Sequence, residues 1–448
     1  MIVSLRRLLK ADIHTLEVLR KSSASVAVKV AGMGTGLLVS IFLGRNLGPE
    51  GLGIISLSNQ IVVLLLVVTM FGMENVLIKH LAIAFGKNDW QHVADSVTTS
   101  MVFNGILAVL IATAGLLLAP FLALQVFHEP ELEVPLMIAL AMIVPQTFSR
   151  ILASALNGFR KIWQSSLVSE ALSTWVVGAG IILFLLAGVE ITVVRIAVLY
   201  ALGRLVVTAS IVFYWKRLFH FAGKRRLLFR PLLKMAVPLA VVSATFVISS
   251  NADVVMLGWL GDSREVGIYS VAARLALLVS FFQVVTNAAI SPKLAALYAD
   301  ARMDELRRMV RRVTGILVVI ATGFLLVFIA GGNLILSVWG SEFRQAHTAL
   351  IILGIGQLFN ISTGCSGGLL IMCGYEKVHG YISVIALVVN LVLNYFLIGH
   401  FGAEGAATAT AVSVGGVSLA KMIIAGKKTG VFTNPLLKRS KADNHNKK

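Results

Sequence analysis

Charge is scarce in this chain, and acidic charge most of all: 13 % of its 448 residues are charged, with 21 Asp and Glu against 39 Lys and Arg. Cysteine is nearly absent. Cys365 and Cys373 are eight positions apart on one predicted helix, about 12 Å along its axis, too far to bridge each other. That excludes a disulfide framework and gives no support to a metal centre. The nine histidines are scattered, with no H-E-x-x-H or other ligand pair at helical spacing, so a metalloenzyme is disfavoured. No G-x-x-x-x-G-K-[ST] loop occurs, since Gly86-Lys87 and Gly426-Lys427 lack the earlier glycine, and the chain itself does not hydrolyse ATP. Its outer loops are all short, which leaves no room for the acceptor of a glycosyltransferase, polymerase or ligase.

What fills the chain instead is apolar. Hydrophobic residues make up 57 % and gather in stretches near 24–44, 53–73, 101–119, 132–156, 167–188, 191–214, 232–258, 266–290, 313–331, 346–372, 380–398 and 404–425. Such stretches suit a hydrocarbon core, and in lipid a helix satisfies its own backbone hydrogen bonds. The sequence therefore predicts an all-α polytopic membrane protein of about 12 transmembrane helices. A barrel is excluded by the long unbroken runs. The first run exceeds the apolar part of a signal peptide, lacks a small-residue cleavage site and is followed at once by a second, so it reads as an anchor.

Lysine and arginine fall in every second gap. Five occur up to Ser25, two in 78–95, two in 157–166, seven in 215–235, six in 291–312, one in 374–380 and eight in 421–448, while the alternate gaps hold Arg45, Arg264 and Arg344. Cytoplasmic loops retain Lys and Arg during insertion, which predicts both termini inside. The net charge of +18 thus records topology. A nucleic-acid partner would need a basic soluble domain, and no segment is long enough to form one.

The most basic gap divides the chain into a cytoplasmic leader (1–23), a first six-helix bundle (24–214), a basic linker (215–231), a second six-helix bundle (232–425) and a basic, disordered cytoplasmic tail (426–448). The turns LGPEGLGIIS (47–56) and LGDSREVGIYS (260–270) hold the same ordinal place in each half. They point to a repeat of parallel orientation around a central cavity. In the leader, Leu5, Leu8, Leu9, Ile13 and Leu16 have helical spacing, with Arg6, Arg7 and Lys10 between them. This segment either lies on the inner leaflet or is simply solvated.

A charge in a bilayer costs about 2.5–3.5 kcal/mol at mid-depth, so charged residues within spans are candidates for function. Arg204 falls near the centre of the sixth span, and Tyr200, Arg204 and Thr208 recur at intervals of four on one face. Arg195 lies on the opposite face and is expected to snorkel to the outer interface. In the seventh span Thr245, Ser249 and Asp253 form a stripe, and Arg274 of the eighth lies at comparable depth. An Asp253–Arg274 pair would neutralise both, as a structural tie or as a gate. Arg150, near the cytoplasmic end of the fourth span, either faces the cavity, the preferred reading, or snorkels to the headgroups. Glu170, near the start of the fifth, is either a proton or cation site or a headgroup-level residue. Asn390 with Asn394, and Gln357 with Asn360, are expected to make interhelical hydrogen bonds. Pro145 and Pro238 are placed to kink their helices.

Several strings taken in order, LGRNLGPEGLGIISL (43–57), NADVVMLGWLG and VGIYSVAARL (within 251–275), SPKLAALY (291–298), and VWGSEFRQA, LLIMCGYEK and GHFGAEGAATATAVS (within 338–413), resemble the oligosaccharide and O-antigen flippases of the multidrug/oligosaccharidyl-lipid/polysaccharide exporter superfamily. The resemblance covers essentially the whole chain. It implies a transporter that works by alternating access, without enzyme activity or cofactor, coupled to a proton or sodium gradient; Asp253 and Glu170, from their places within spans, are the candidate coupling or gating groups. Its cargo would be a lipid-diphosphate-linked oligosaccharide, carried from the cytoplasmic to the outer leaflet of a bacterial cytoplasmic membrane for O-antigen, capsule or exopolysaccharide synthesis. Membrane lipids and a polysaccharide polymerase complex are the implied partners. Arg204, Arg150 and Arg274, with Tyr200 and Thr208, would meet the diphosphate or an acidic sugar, arginine being suited to bidentate contact. Lipid II flippases resemble this superfamily too, but carry several arginines in their first cavity-lining helices, where this chain has only Lys29 and Arg45. The alternative within the superfamily is a cation-coupled multidrug antiporter, whose lumen should favour acidic and aromatic residues over a central arginine. A non-transporting scaffold would not require a buried Arg204.

Overall fold

The computed structural model describes residues 2–431, and the side chains of 24–431 apart from 288, 289, 291 and 292. Every regular element among the described residues is helical. Contacts divide the chain into two compact units, Met1–Asn251 with Asp262–Arg264, and Ala252–Gly261 with Glu265–Lys448.

The first unit opens on α1 (Ile2–Met70), whose apolar part runs for 47 residues from Ala24. That is about 70 Å at 1.5 Å per residue, against a hydrocarbon core of about 30 Å. It therefore serves as two spans. The break lies at Gly48, whose φ of 66° leaves the helical region, followed by Pro49, which has no N–H to continue the ladder. The helix stops at Phe71 and Gly72, both at positive φ. There Asn104 of α3 (Trp90–Phe121) donates to the carbonyls of Thr69 and Met70 at 2.7 and 2.9 Å. Carbonyls at a helix end have no partner in their own helix, and the buried amide supplies one.

The short α2 (Met73–Gly86) precedes α3. The fourth expected span is two helices, α4 (Glu133–Ala141) and α5 (Ile143–Gly158), bent by 41°. Pro145 accounts for the bend, because it cannot bond back to Ala141 and is tolerated only in the first turn of a helix. A π-helical turn, Leu167–Ala171, joins α6 (Ile162–Ser166) to α7 (Leu172–Leu186); α8 (Val193–Leu218) and most of α9 (Phe229–Leu260) complete the unit. α9 runs through Pro238 as one helix, so the second proline does not break its span.

The second unit holds the end of α9, α10 (Ser263–Ala299), α11 (Met303–Ser337), α12 (His347–Ser362), α13 (Ser366–Met372) and α14 (Glu376–Thr429). α12 and α13 form another pair bent by 41°. α14 again has the length of two spans, 54 residues, and breaks at Gly402 with φ 51°. A Cβ there would collide with the Glu265 carboxylate at 2.4 Å. Eight long apolar helices, two of them doubled by a glycine break, and two bent pairs account for the twelve expected spans. The tail expected from residue 426 begins inside α14, which continues to Thr429. Its remainder past 431, and the leader side chains expected on the inner leaflet, lie outside the described residues.

Packing follows the rule for lipid, not water. On α3 the buried positions include Ser96, Ser100, Asn104, Ala108, Ala112 and Gly115, whereas Leu117 is 77 % exposed. Small inward residues let helices approach closely, and large apolar ones meet acyl chains. In the first unit the basic gaps meet at one end. Phe85, Phe159, Trp215 and Phe219, from three of those gaps, pack ring to ring at 4.9 to 6.2 Å. The linker is tied there to α3, with the Arg226 N–H donating to Asp95 at 2.7 Å and the Leu228 N–H to Thr99 at 2.8 Å. In the second unit Leu297, Tyr375 and Val431 share one cluster and Arg307 donates to the Gly430 carbonyl at 3.3 Å, so its basic gaps converge too.

Candidate functional site

α8 carries Tyr200, Arg204 and Thr208 on one face, as their spacing requires. Arg204 Nη2 donates to Asn59 Oδ1 on α1 at 2.6 Å. The Asn59 amide nitrogen is itself committed to the Ile55 carbonyl at 2.8 Å, which holds its oxygen toward the guanidinium. Thr208 Oγ1 lies 2.9 Å from the carbonyls of both Pro145 and Arg204, tying α8 to α5 at the proline bend. Gly203 lets α8 approach α7 on another side, since a Cβ there would meet the Ser173 carbonyl at 2.9 Å. Ile55, Asn59, Pro135, Ala139, Tyr200 and Arg204 line a recess among α1, α4 and α8.

Arg150 of α5 faces Glu74 of α2, with Nη1 and Oε1 3.4 Å apart and both side chains half-exposed. Its charge also reaches Arg204, so two guanidinium groups lie within Coulombic range of each other. Glu170, in the π-helical turn, pairs with Lys29 at 3.6 Å. Of these three cations two hold a carboxylate, and Arg204 rests on a neutral amide. Such an arrangement carries excess positive charge and spare N–H donors, the chemistry of an anion site. Arg195 donates to the Glu190 carbonyl at 2.5 Å by the start of α8, away from this group.

Arg204, Arg150, Tyr200 and Thr208 thus come together, while Arg274 is a half-buried residue of the second unit. Asn59 and Glu74 were not singled out from sequence. A faint signal existed in the polar run Ser56, Ser58, Asn59, Gln60 inside an apolar stretch, and in Glu74 directly after it.

In the second unit the Asp253 carboxylate accepts from the Tyr269 hydroxyl, from the Val254 N–H at 2.9 Å and from Thr410 Oγ1 at 3.4 Å. These partners replace the expected Arg274. The reason is depth: the tight turn at Gly261 sets Tyr269 level with Asp253, and Arg274 lies five residues, about 7.5 Å, further along α10. Gln357 does bond between helices, accepting from Ser280 at 2.6 Å, and Asn360 donates to Gln283 at 3.1 Å. Asn394 instead donates to Asn390 along its own helix, at 3.1 Å.

A family model described as "Polysaccharide biosynthesis protein" matches residues 18–297, and one described as MatE matches 238–396. The chain is 28 % identical over 187 residues to a capsular polysaccharide biosynthesis protein of Staphylococcus aureus, covering 41 % of this chain and 47 % of that one. It is 26 % identical over 162 residues to a probable low-salt glycan biosynthesis flippase of Haloferax volcanii, covering 36 % and 34 %. The matches thus span less than half the length of these relatives. An inward-facing multidrug resistance MATE family transporter of the MOP superfamily has the same fold, with a TM-score of 0.75 at 15 % identity over 91 % of this chain and 98 % of that one.

Proposed function

The chain belongs to the polysaccharide biosynthesis protein family of the multidrug/oligosaccharidyl-lipid/polysaccharide exporter superfamily, and from that premise we propose that it is a flippase for a lipid-diphosphate-linked oligosaccharide. The observation that carries this reading is Arg204, kept within a span on a neutral partner with a second guanidinium in Coulombic range. A diphosphate offers two adjacent anionic groups to two such forks. The loop charges support cytoplasmic termini in a bacterial cytoplasmic membrane and loading from the cytoplasmic side. Asp253 and Glu170 are the groups through which a proton or sodium gradient would drive alternating access, and a polymerase complex would receive the glycan.

In cells that depend on this carrier, Arg204→Ala should keep normal protein levels and abolish delivery of the glycan to the outer leaflet. Arg204→Lys should restore part of it. The MatE match over 238–396 favours a second reading, a multidrug antiporter. That reading requires export of a cationic dye by cells making the protein, with glycan delivery indifferent to Arg204→Ala.

A further inference from the structure

Lys421 lies about two turns before the end of α14. Its side chain is half-buried, and among the described residues none pairs with its ammonium. Its neighbour is His379, near the start of α14, whose Nδ1 is shielded from solvent and has no hydrogen-bond partner. The two meet over Gly367 of α13. A Cβ built there would come within 3.2 Å of His379 Cε1, 3.5 Å of His379 Nδ1 and 3.8 Å of Lys421 Cδ. At the adjoining Gly368 and Gly380 a Cβ would meet nothing.

The neighbouring helix repeats the pattern. On α11, Arg311 Nε and Thr314 Oγ1 are buried and unbonded. Thr314 is one turn from Val310 and Lys421 one turn from Ala425, and Val310 and Ala425 belong to one apolar cluster. A half-buried cation with no partner among the described residues, set beside further unmet polar groups, is placed to receive an anion. An ammonium, an imidazole and a glycine surface with no Cβ in the way are suited to phosphate oxygens.

We propose that Lys421 and His379, closing over Gly367, form a phosphate-binding site in the second unit that takes the phosphate ester of a membrane-lipid headgroup or of a diphosphate-linked lipid. The site draws nothing from Arg204 and stands if the first unit's role is different.

The full chain carrying Arg204→Ala, which weakens binding by the first unit, is purified in neutral detergent. It is titrated with inorganic pyrophosphate, a short-chain phosphatidylglycerol and a short-chain prenyl diphosphate, and bound ligand is counted by native mass spectrometry. Lys421→Met should weaken binding roughly tenfold or more, Lys421→Arg should retain most of it, and Gly367→Val should weaken it by pushing His379 and Lys421 apart. Pyrophosphate binding would show that phosphate alone suffices. Phosphatidylglycerol without prenyl diphosphate would identify a resident lipid, and the reverse would identify cargo. Lys421→Met should melt no lower than its parent, because an uncompensated cation is gone, which separates lost binding from lost fold. Equal binding with and without Lys421→Met, or no binding of any probe by the parent, overturns the proposal.

Discussion

The Arg150 guanidinium stands 3.4 Å from the Glu74 carboxylate, so the second cation of the Arg204 site already holds an anion of the protein's own. A half-exposed pair of this kind is worth about 1 kcal/mol or less. It is weak enough to yield to a doubly charged ligand.

Glu74→Gln should therefore raise affinity for a short-chain prenyl diphosphate, by roughly two- to fivefold, and slow transport through delayed release. Titration of the purified protein checks the first effect and glycan delivery the second. Weaker binding would mean that Glu74 orients Arg150 and does not compete for it.

Asn59→Asp places a carboxylate where Arg204 now meets a neutral oxygen. The protein should remain folded, since the new ion pair is hydrogen-bonded as the old contact was, and glycan delivery should fall at least as far as in Arg204→Ala. A fully active Asn59→Asp carrier would show that the free charge of Arg204 is not what function needs.

Tyr269→Phe removes the hydroxyl that meets buried Asp253 and should destabilise the second unit by about 1–3 kcal/mol. Combined with Asp253→Asn the loss should be less than additive, whereas Asp253→Asn with Arg274→Ala should be additive. Melting temperatures of the single and double variants read both cycles, and coupling of Asp253 to Arg274 alone would reverse the assignment.

Gly72 has φ 72°, and a Cβ there would lie 2.4 Å from the Ala240 nitrogen and 2.6 Å from the Ala236 carbonyl. Gly72→Ala should cost about 1–3 kcal/mol from overpacking, plus backbone strain. The yield and melting temperature of the purified variant measure it. An unchanged melting point would mean that α9 can retreat from α2 freely.

His80 Nδ1 is 3.2 Å from His92 Nε2, and His80 Nε2 is 3.0 Å from Met235 Sδ. Burial holds the His80 imidazole below its ordinary value, and His92 and Lys79 push the same way. The folded protein therefore prefers neutral His80. Its contribution is complete above the ordinary histidine value of about 6.5 and is lost as pH falls through the lower folded value. Acidification from about pH 7.5 to about 5.5 should lower the melting temperature of the wild type more than that of His80→Gln. Equal shifts would remove His80 from the acid response.

Whatever depends on one segment at a time was legible in the sequence. Transfer into lipid is a property of composition, so the spans appear as apolar runs, and insertion reads charge loop by loop, so the alternation of Lys and Arg appears as well. The mid-span place of Arg204 and its shared face with Tyr200 and Thr208 follow from helix geometry alone. Even the bend at Pro145 and the break at Gly48 are local, each written in one residue's φ or its missing N–H.

Only the tertiary structure chose the partners. Asn59 is 145 residues from Arg204 and Glu74 is 76 from Arg150, and no local pattern says which face of one helix will turn toward another. For Asp253 the sequence pointed to Arg274, and the tight turn at Gly261 brought Tyr269 to its level instead. The rotation of each helix about its axis is set by where backbones can touch, as at Gly203 against Ser173 and Gly72 against Ala240. Those contacts exist only when both helices are in place, which is why the charges could be located from the sequence and their pairing could not.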